Sequence, residues 1–296
     1  MIVVTGASGM VGSRLFDTLR SQDRKVRRLV RRAAKNADEV SFEETRADLR
    51  PSEWDGCEAL VHLAGENIAS GRWTAAKKEA IRHSRVDFTR RLARGLARLR
   101  SPPGVLISAS AIGYYGDRGN EVLSEDAEPG QGFLPEVCVE WEAAAEAARE
   151  AGIRVVHLRY GVLLSPRGGA LARMLTPFKL GLGGVLGSGE QYMSWLSLDD
   201  AVGIILFALE EKGLQGPLNA VSPHAATNRE FTRALGRALH RPTLFPMPAF
   251  AARLAFGEMA QDLLLASTRV EPVRLLQAGY PYRHRTLDET LAALLG

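Results

Sequence analysis

Short apolar runs recur through the first 160 residues, and most are followed by stretches with apolar residues three or four positions apart. Such runs are typical of strands buried on both faces of a parallel sheet, and the wider spacing is typical of helices. Because the two kinds of segment alternate, the pattern predicts an α/β fold with a Rossmann-type, doubly wound parallel sheet. The predicted strands are residues 2–5, 25–30, 40–42, 58–64, 104–110 and 153–159, and the predicted helices are 12–20, 74–99 and 135–152.

The pattern changes after residue 160. Glycine-rich loops surround a short helix, and "YMSWLSLDD" indicates a strand followed by a helix that begins at Asp199 or Asp200. From residue 227 onward the chain is mostly helical, with prolines between the helices. We therefore predict a sheet domain and a smaller, mostly helical C-terminal lobe. The sheet domain is predicted over 1–165 and completed by 192–225; the lobe comprises 166–191 and 226–296, with a helical domain at about 245–293.

Composition excludes several classes of protein. The net charge is +4, and the one dense basic cluster, residues 24–32, has no accompanying nucleic-acid-binding motif. No apolar run reaches the roughly 18 residues that a membrane span needs, and the start does not resemble a secretory signal. Cys57 and Cys138 are far apart, and no histidine pair has metal-site spacing. We expect a cytoplasmic protein with no metal, nucleic-acid or membrane partner.

Three glycines stand between the first strand and the first helix, in "MIVVTGASGMVG". A glycine-rich turn at this place lets the backbone approach a pyrophosphate, which lies at the helix N-terminus. Gly6 permits the tight turn, Gly9 the close approach and Gly12 close packing of helix on strand. The spacing is G-x-x-G-x-x-G rather than G-x-G-x-x-G, yet the strand, turn and helix are all in place. The predicted dinucleotide-binding turn comprises Gly6, Ala7, Ser8, Gly9, Met10, Val11 and Gly12.

The end of the second strand indicates which dinucleotide is bound. An NAD site should place a carboxylate about 20 residues after the glycines, to hold the ribose hydroxyls. Arg31 and Arg32 stand there instead, and guanidinium groups grip a 2′-phosphate. The sequence therefore favours NADP(H) over NAD, although both arginines could simply face water. Asp48 is a candidate for contacting adenine. Leu63, Ala64 and Gly65 end a strand at the carboxyl edge of the sheet, where ligands of such folds bind.

Ordered sequence blocks along almost the whole chain carry a family resemblance. The sequence resembles the atypical "epimerase family" branch of the extended short-chain dehydrogenase/reductases, whose C-terminal helical domain has no known function. The resemblance implies NADP binding, with contacts at Leu63 and Ala64, near Glu79 and Arg85, and at Leu163 beside the nicotinamide. The blocks are "TGASGMVG", "HLAGENI", "RWTAAKKEAIRHSR", "SASAIGYYG", "WEAAA", "LRYGVLL", "GGAL", "GLGGVLGSGEQ", "SWLSLDD" and "RVEPVRLLQAGYPY".

The catalytic pattern of the superfamily is incomplete here. Its reductases and epimerases use a serine and a Tyr-x-x-x-Lys pair, in which the ammonium lowers the phenol pKa. No lysine follows a tyrosine at that spacing; Cys138 and Glu142 stand there. We expect a packed thiol and a surface carboxylate, the alternative being that the two form a replacement acid/base pair. The remaining catalytic candidates are Ser110 and Tyr114.

The loop that holds these candidates, "SASAIGYYG", also contains Ser108 and Tyr115, and we expect Tyr115 to serve in packing. A cation near Tyr114 would have to lower its pKa for it to act as a base, and Arg85 or Arg159 could supply that charge.

The substrate is not identified by the sequence. Related sugar-nucleotide enzymes have an arginine for the diphosphate where this chain has Met193, which disfavours a nucleotide sugar unless Arg173 or Lys179 takes that role. The apolar segment "FPMPAFAARLAF" at 245–256 is expected to lie mostly in the core. Two functions stay open: an NADP(H)-dependent oxidoreductase or epimerase-like enzyme acting on a small molecule, and a non-catalytic NADP(H)-binding sensor or interaction protein. Either would be a monomer or a homodimer.

Overall fold

The computed structural model describes residues 1–42 and 49–296. Strands and helices alternate through most of the first 160 residues, as the periodicity predicts. The strands are β1 (Ile2–Thr5), β2 (Val26–Val30), β3 (Glu39–Ser41), β4 (Ala59–His62), β5 (Val105–Ala111), β6 (Val122–Leu123), β7 (Arg154–Tyr160), β8 (Val162–Leu164), β9 (Tyr192–Met193), β10 (Trp195–Ser197), β11 (Gly216–Ala220), β12 (Ala226–Thr227) and β13 (Arg269–Val270).

The helices cover both faces of the sheet and form most of the C-terminal part. Two π-helical segments, His83–Asp87 and Gln261–Leu265, and one 3₁₀ segment, Ile112–Tyr115, interrupt or precede them. The α-helices are α1 (Met10–Ser21), α2 (Pro51–Trp54), α3 (Ala75–Arg82), α4 (Phe88–Ala97), α5 (Phe133–Ala143), α6 (Glu146–Glu150), α7 (Gly169–Lys179), α8 (Leu198–Glu210), α9 (Asn228–Leu239), α10 (Ala249–Phe256), α11 (Glu258–Ala260), α12 (Val273–Gln277) and α13 (Leu287–Leu295).

A seven-stranded parallel sheet forms the centre of the described chain, in the order β11-β7-β5-β4-β1-β2-β3. The order reverses between β1 and β4, so the loops that leave these two strands diverge and open a crevice at the carboxyl edge. The predicted doubly wound Rossmann-type sheet is confirmed. Its strands are apolar on both faces because helices pack on each side: all four residues of β1 and of β4 are buried.

Helix α1 shows why the sequence folds this way beside the crevice. Its apolar residues Leu15, Phe16 and Leu19 are three or four positions apart and are completely or almost completely buried against the sheet. The helix begins directly after Gly9, so its N-terminal turn points into the crevice. The long helix predicted over 74–99 forms as α3, a π-helical turn and α4, with Thr74 as its N-cap.

Three predictions need correction. The helix after "YMSWLSLDD" is capped by Ser197, whose hydroxyl accepts the Asp200 N–H, rather than begun by Asp199 or Asp200. The predicted helix over 135–152 begins at Phe133 and breaks into α5 and α6. The apolar segment 245–256 is largely at the surface: Phe250 is 72% exposed and Leu254 77%.

The C-terminal lobe has a core of its own between α7, α9 and α13. Leu175, Phe231, Leu235 and Leu291 are buried there. These helices pack beside the sheet near β8 and β10, so the lobe lies alongside the carboxyl edge where the crevice opens.

The N-terminus of α9 carries a capping box, in which Thr227 Oγ1 accepts the Glu230 N–H and the Glu230 carboxylate accepts the Thr227 N–H. We expect Thr227→Ala to lower the free energy of unfolding by about 1 kcal/mol, because the Glu230 N–H at the helix start loses its acceptor. Urea unfolding followed by circular dichroism measures the change. A loss below about 0.3 kcal/mol would show that water replaces the cap without cost.

Candidate functional site

The turn after β1 has the shape that three glycines permit. Gly6 has a φ of +65°, and a Cβ there would lie 2.7 Å from the Leu63 carbonyl carbon. A Cβ at Gly12 would lie 2.2 Å from the Gly6 oxygen, so α1 could not pack this closely on the turn. Gly9 donates its N–H to the Gly6 carbonyl and has no side chain to cover the first turn of α1. The first turn therefore presents backbone N–H groups to the crevice, as an anion site requires.

A cavity of about 740 Å³ lies over this turn, between the carboxyl ends of β1, β2 and β4. Its size suits a dinucleotide, since ligand cavities generally span about 300–1,000 Å³. The cavity brings together nine of the predicted cofactor residues. They are Gly6, Ala7, Ser8, Gly9, Arg31, Arg32, Leu63, Ala64 and Gly65.

The other predicted cofactor residues lie outside the lining of this cavity. Met10, Val11 and Gly12 form the first turn of α1, Glu79 is exposed on α3, and Leu163 lies in β8. Arg85 is adjacent: its guanidinium carbon lies 3.2 Å from the position of a Cβ on Gly65, and its Nη2 donates to the Glu66 carbonyl.

Arg32 is already engaged by a carboxylate. Its Nη1 and Nη2 donate to Glu39 Oε2 and Oε1, each at 2.7 Å, and Glu39 also accepts the Lys35 N–H. The hydrogen bonds from Arg32 and Lys35 bring the pKa of Glu39 down to about 2. The carboxylate therefore stays charged and fixes the loop after β2. Arg28 and Arg31 also line the cavity here, whereas Asp48 lies outside the described residues.

A buried polar chain fixes the loop after β4. Thr5 Oγ1 accepts the N–H groups of Leu63 and Ala64 and lies 2.7 Å from His62 Nδ1. Since both acceptor lone pairs of Thr5 Oγ1 take these N–H groups, its hydroxyl donates to Nδ1, and His62 Nε2 then donates to Thr89 Oγ1 at 2.9 Å. Burial lowers the pKa of His62 to about 3, so the ring is neutral and holds this arrangement.

The predicted catalytic serine, Ser110, is hydrogen-bonded to a buried ion pair formed by Glu142 and Arg159. Ser110 and Arg159 are cross-strand neighbours on β5 and β7. Glu142 on α5 lies over both: its Oε1 accepts Ser110 Oγ at 2.7 Å and Arg159 Nε at 2.9 Å, and its Oε2 accepts Arg159 Nη2 at 2.9 Å. The side chain of Glu142 is only 13% exposed, so the expectation of a surface carboxylate was wrong.

Arg159 lies against Tyr114, as expected, but it does not lower the pKa of the phenol. The guanidinium carbon of Arg159 lies 3.5 Å from the centroid of the Tyr114 ring. Burial nevertheless outweighs the Arg159 charge, and the pKa of Tyr114 is raised above its ordinary value. The phenol therefore keeps its proton at neutral pH and can act as a donor, but not as the base that a lowered pKa would allow.

The neighbouring Tyr115 and Cys138 have packing roles. Tyr115 is fully buried, donates to Asn219 Oδ1 at 2.7 Å and accepts from Arg159 Nη1 at 2.9 Å. Burial raises the pKa of Cys138 to about 12, so its thiol is not ionised. The packing expected of both residues agrees with these positions.

Comparison with known proteins identifies the family. A sequence model described as the NAD dependent epimerase/dehydratase family matches residues 2–221. The chain belongs to this epimerase family. A second model, a domain of unknown function, matches residues 247–294, at the C-terminal end of the helical lobe.

The relatives of this epimerase family protein span its whole length. An epimerase family protein of Mycobacterium bovis is 43% identical over 98% of this chain and 96% of its own length. The crystal structure of human epimerase family protein SDR39U1 with NADPH has a TM-score of 0.91 at 32% identity, covering 99% of this chain and 98% of that chain. UDP-glucose 4-epimerase of Thermotoga maritima, at 19% identity, a TM-score of 0.76, and coverage of 99% and 97%, shares the fold alone.

Some features of the site of this epimerase family protein escaped prediction. The Glu142–Arg159 pair joins α5 to β7, and no spacing rule links positions that far apart on different elements. Arg32 and Glu39 are only seven positions apart in the sequence, but the sequence does not indicate that the intervening loop brings their side chains together as an ion pair. Among residues 1–42 and 49–296, no group of three or more His, Cys, Asp or Glu side chains is placed to hold a metal ion. No helix of that part of the chain is long and apolar enough to span a membrane.

Proposed function

We propose that this protein is an NADP(H)-binding oxidoreductase or epimerase-like enzyme that acts on a small molecule. The observation that carries the proposal is the cavity over the glycine turn, because it meets a helix N-terminus at one end and the arginines after β2 at the other. The human relative crystallised with NADPH supports it. A cytoplasmic location and a monomer or homodimer stay predictions.

The arginines favour NADP(H) over NAD(H). A 2′-phosphate beside β2 would meet Arg28 and Arg31, which both line the cavity there. The two carboxylates in the cavity lining are each paired with a cation: Glu39 accepts two hydrogen bonds from Arg32, and Glu66 accepts one from Lys77 Nζ. The net charge of the cavity end is therefore positive, and this suits an extra phosphate rather than two ribose hydroxyls.

The catalytic part of the proposal rests on Ser110 and Tyr114. The bound cofactor would supply hydride transfer, and the chain would bind and orient the substrate and move its proton. Tyr114 keeps its phenol proton and is suited to protonate a substrate oxygen. Ser110 lies at the carboxyl end of β5, two residues beyond the position that pairs with His62, and so on the cofactor side of the sheet.

A non-catalytic sensor is the second candidate. Cys138 and Glu142 stand where the superfamily has its tyrosine and lysine, and neither can do that work, since the thiol is not ionised and the carboxylate is committed to Arg159. Such a protein would bind NADPH tightly and turn nothing over.

One assay separates the two candidates. The protein is incubated with NADPH and a panel of small carbonyl compounds, and loss of NADPH absorbance is followed beside the Ser110→Ala and Tyr114→Phe variants. We expect turnover that falls at least a hundredfold in both variants, and no change in Ser101→Ala, an exposed control. Tight NADPH binding, measured by calorimetry, without turnover of any compound would favour the sensor.

A further inference from the structure

Large apolar side chains are exposed together on one part of the C-terminal lobe. They are between 44% and 77% exposed, whereas Val122, Val139 and Leu276, which are exposed elsewhere, lie far apart along the chain. A soluble protein normally exposes such side chains singly, and a larger group marks a surface that binds something. This surface is called the apolar face, and its residues are Leu180, Leu182, Leu244, Phe245, Met247, Phe250 and Leu254.

Backbone hydrogen bonds join the two segments that form the apolar face. The N–H groups of Phe245 and Met247 donate to carbonyl groups in the segment 183–185. Helix α10 begins two residues after Met247, and its exposed residues Phe250 and Leu254 are one helical turn apart. The exposed side chains therefore lie side by side on the lobe.

Helix α10 packs in the reverse of the usual way. A surface helix normally buries its large apolar residues and exposes its polar ones. In α10 the small residue Ala252 is fully buried, whereas Phe250 and Leu254 are more than two-thirds exposed. A hydrogen bond from Arg72 Nη2 to the Leu254 carbonyl also joins the helix to the loop after β4. The helix is thus fixed to the protein with its apolar side uncovered.

Basic side chains adjoin the apolar face. Lys179, Arg241 and Arg253 are exposed there, and Arg241 Nε donates to the Lys179 carbonyl. The other hydrogen bonds of the two arginines also go to uncharged oxygen atoms, so their charge is not neutralised. Residues 166–189 and 231–257, which contain the whole face, have no aspartate or glutamate. The surroundings of the face are therefore positively charged.

The carboxylates that follow these two segments do not cancel the charge. Glu190 forms an ion pair with Arg229, and Glu258 forms one with Lys78. Each carboxylate is thus matched by a cation of its own, and the three basic residues beside the apolar face keep their excess charge. Whatever covers the face should be apolar where it meets the leucines and phenylalanines and negative around them.

This charge favours a lipid surface over a second copy of the chain. In a twofold contact each apolar face would meet itself, and the lysine and arginines of both copies would converge. A bilayer with anionic headgroups supplies the opposite charge. The apolar side of a helix that lies in its surface enters the boundary between headgroups and acyl chains.

We propose that the apolar face docks the C-terminal lobe on a membrane surface that carries anionic lipids. Phe250 and Leu254 enter the boundary between headgroups and acyl chains, and Lys179, Arg241 and Arg253 meet the headgroup phosphates. This changes the sequence-based expectation of no membrane partner, which rested on the lack of a spanning segment, because docking needs only a helix in the surface. The proposal is independent of the bound cofactor.

The experiment measures partition of the full chain onto vesicles by flotation. One set of vesicles is phosphatidylcholine alone, and the other is an equal mixture of phosphatidylcholine and phosphatidylglycerol. We expect binding to the mixed vesicles to be at least about tenfold stronger, since each basic residue near an anionic surface contributes roughly fivefold. High salt should remove most of this difference, because it screens the charges.

Matched variants test which side chains bind the vesicles. Phe250→Gln and Leu254→Gln should each weaken binding to the mixed vesicles about tenfold, because an apolar side chain no longer enters the bilayer. Leu276→Gln, at an exposed position of α12, should have no effect. Lys179→Gln should weaken binding to the mixed vesicles about fivefold and leave binding to phosphatidylcholine unchanged. Lys212→Gln, at an exposed lysine outside the face, should change neither.

Three results would each overturn the proposal: no binding to either kind of vesicle, equal binding to both, or unchanged binding in both Phe250→Gln and Leu254→Gln. Circular dichroism of every variant shows whether it is folded, and the comparison of the two vesicle types needs no variant. Sedimentation equilibrium tests the other occupant. A dimer that Leu254→Gln dissociates, in a protein that binds no vesicle, would show that the face is a contact between copies of this chain.

Discussion

Replacing Arg31 by aspartate should raise the dissociation constant for NADPH about a hundredfold and leave that for NADH within about twofold. Arg31 lines the cavity at its β2 end, where the 2′-phosphate is expected. Arg31→Asp removes one charge-assisted hydrogen bond, worth about 1.5–3 kcal/mol, and puts a negative charge opposite the phosphate. NADH has no phosphate there, so it reports only the general effect of the substitution. Isothermal calorimetry with each coenzyme measures both constants.

Arg32 provides the matched control. The guanidinium of Arg32 binds Glu39 with two hydrogen bonds. We therefore expect Arg32→Gln, which adds no negative charge, to weaken NADPH by less than about tenfold and so by less than Arg31→Asp does. Equal losses in the two variants would mean that Arg32 leaves Glu39 when the coenzyme binds. An Arg31→Asp variant that weakens NADH as much as NADPH would contradict the assignment of this end of the cavity to the phosphate.

The fold could be predicted because its signals are local and repeated. Each strand of the sheet is a short apolar run, and each helix that covers it shows its spacing within a dozen residues, as α1 does with Leu15, Phe16 and Leu19. The glycine turn could be predicted for the same reason: a Cβ at Gly12 would meet Gly6 and Ala7, which are only five or six residues away along the chain. Even so, the start of α8 was misplaced, because serine and aspartate both favour N-caps and only the structure shows which side chain turns inward.

The surroundings of the catalytic candidates could be predicted only in part, because they depend on contacts between elements that are far apart in the sequence. The candidates Ser110 and Tyr114 were found on one loop, and Arg159 was correctly named as a nearby cation. The burial of Glu142 could not be inferred, because glutamate on a helix usually faces water. Its position over β5 and β7 gives Glu142 a partner in Arg159. Burial is the main reason that the pKa of Tyr114 is raised, and the charge of Glu142 adds to it.

The same buried pair should make Arg159→Met strongly destabilising, by about 3–5 kcal/mol at pH 7. Methionine fills similar space, but it leaves the Glu142 carboxylate buried without a cation, and an uncompensated buried charge costs about this much. Tyr115 Oη and the Glu125 carbonyl also lose their donor. Urea unfolding of both proteins, followed by circular dichroism, measures the difference.

The pH dependence of that loss has a defined sign. In the unmodified protein the pKa of Glu142 is lowered by folding, so its stabilising contribution is present above the unfolded pKa and is lost as the pH falls. In Arg159→Met the Glu142 carboxyl group has lost its cation, so burial raises its pKa in the folded state. Protonation at low pH then removes the buried charge and with it part of the destabilisation. The difference in stability between the two proteins should therefore grow from pH 4 to pH 7.

A double variant separates the charge effect from lost packing. In Glu142→Gln with Arg159→Met the buried group is neutral, and we expect it to recover more than half of the stability that Arg159→Met loses. Recovery follows because an unpaired amide costs much less to bury than an unpaired carboxylate. A double variant no more stable than Arg159→Met at pH 7 would show that the packing of Arg159 on Tyr114 and Tyr115, rather than its charge, supports this part of the fold.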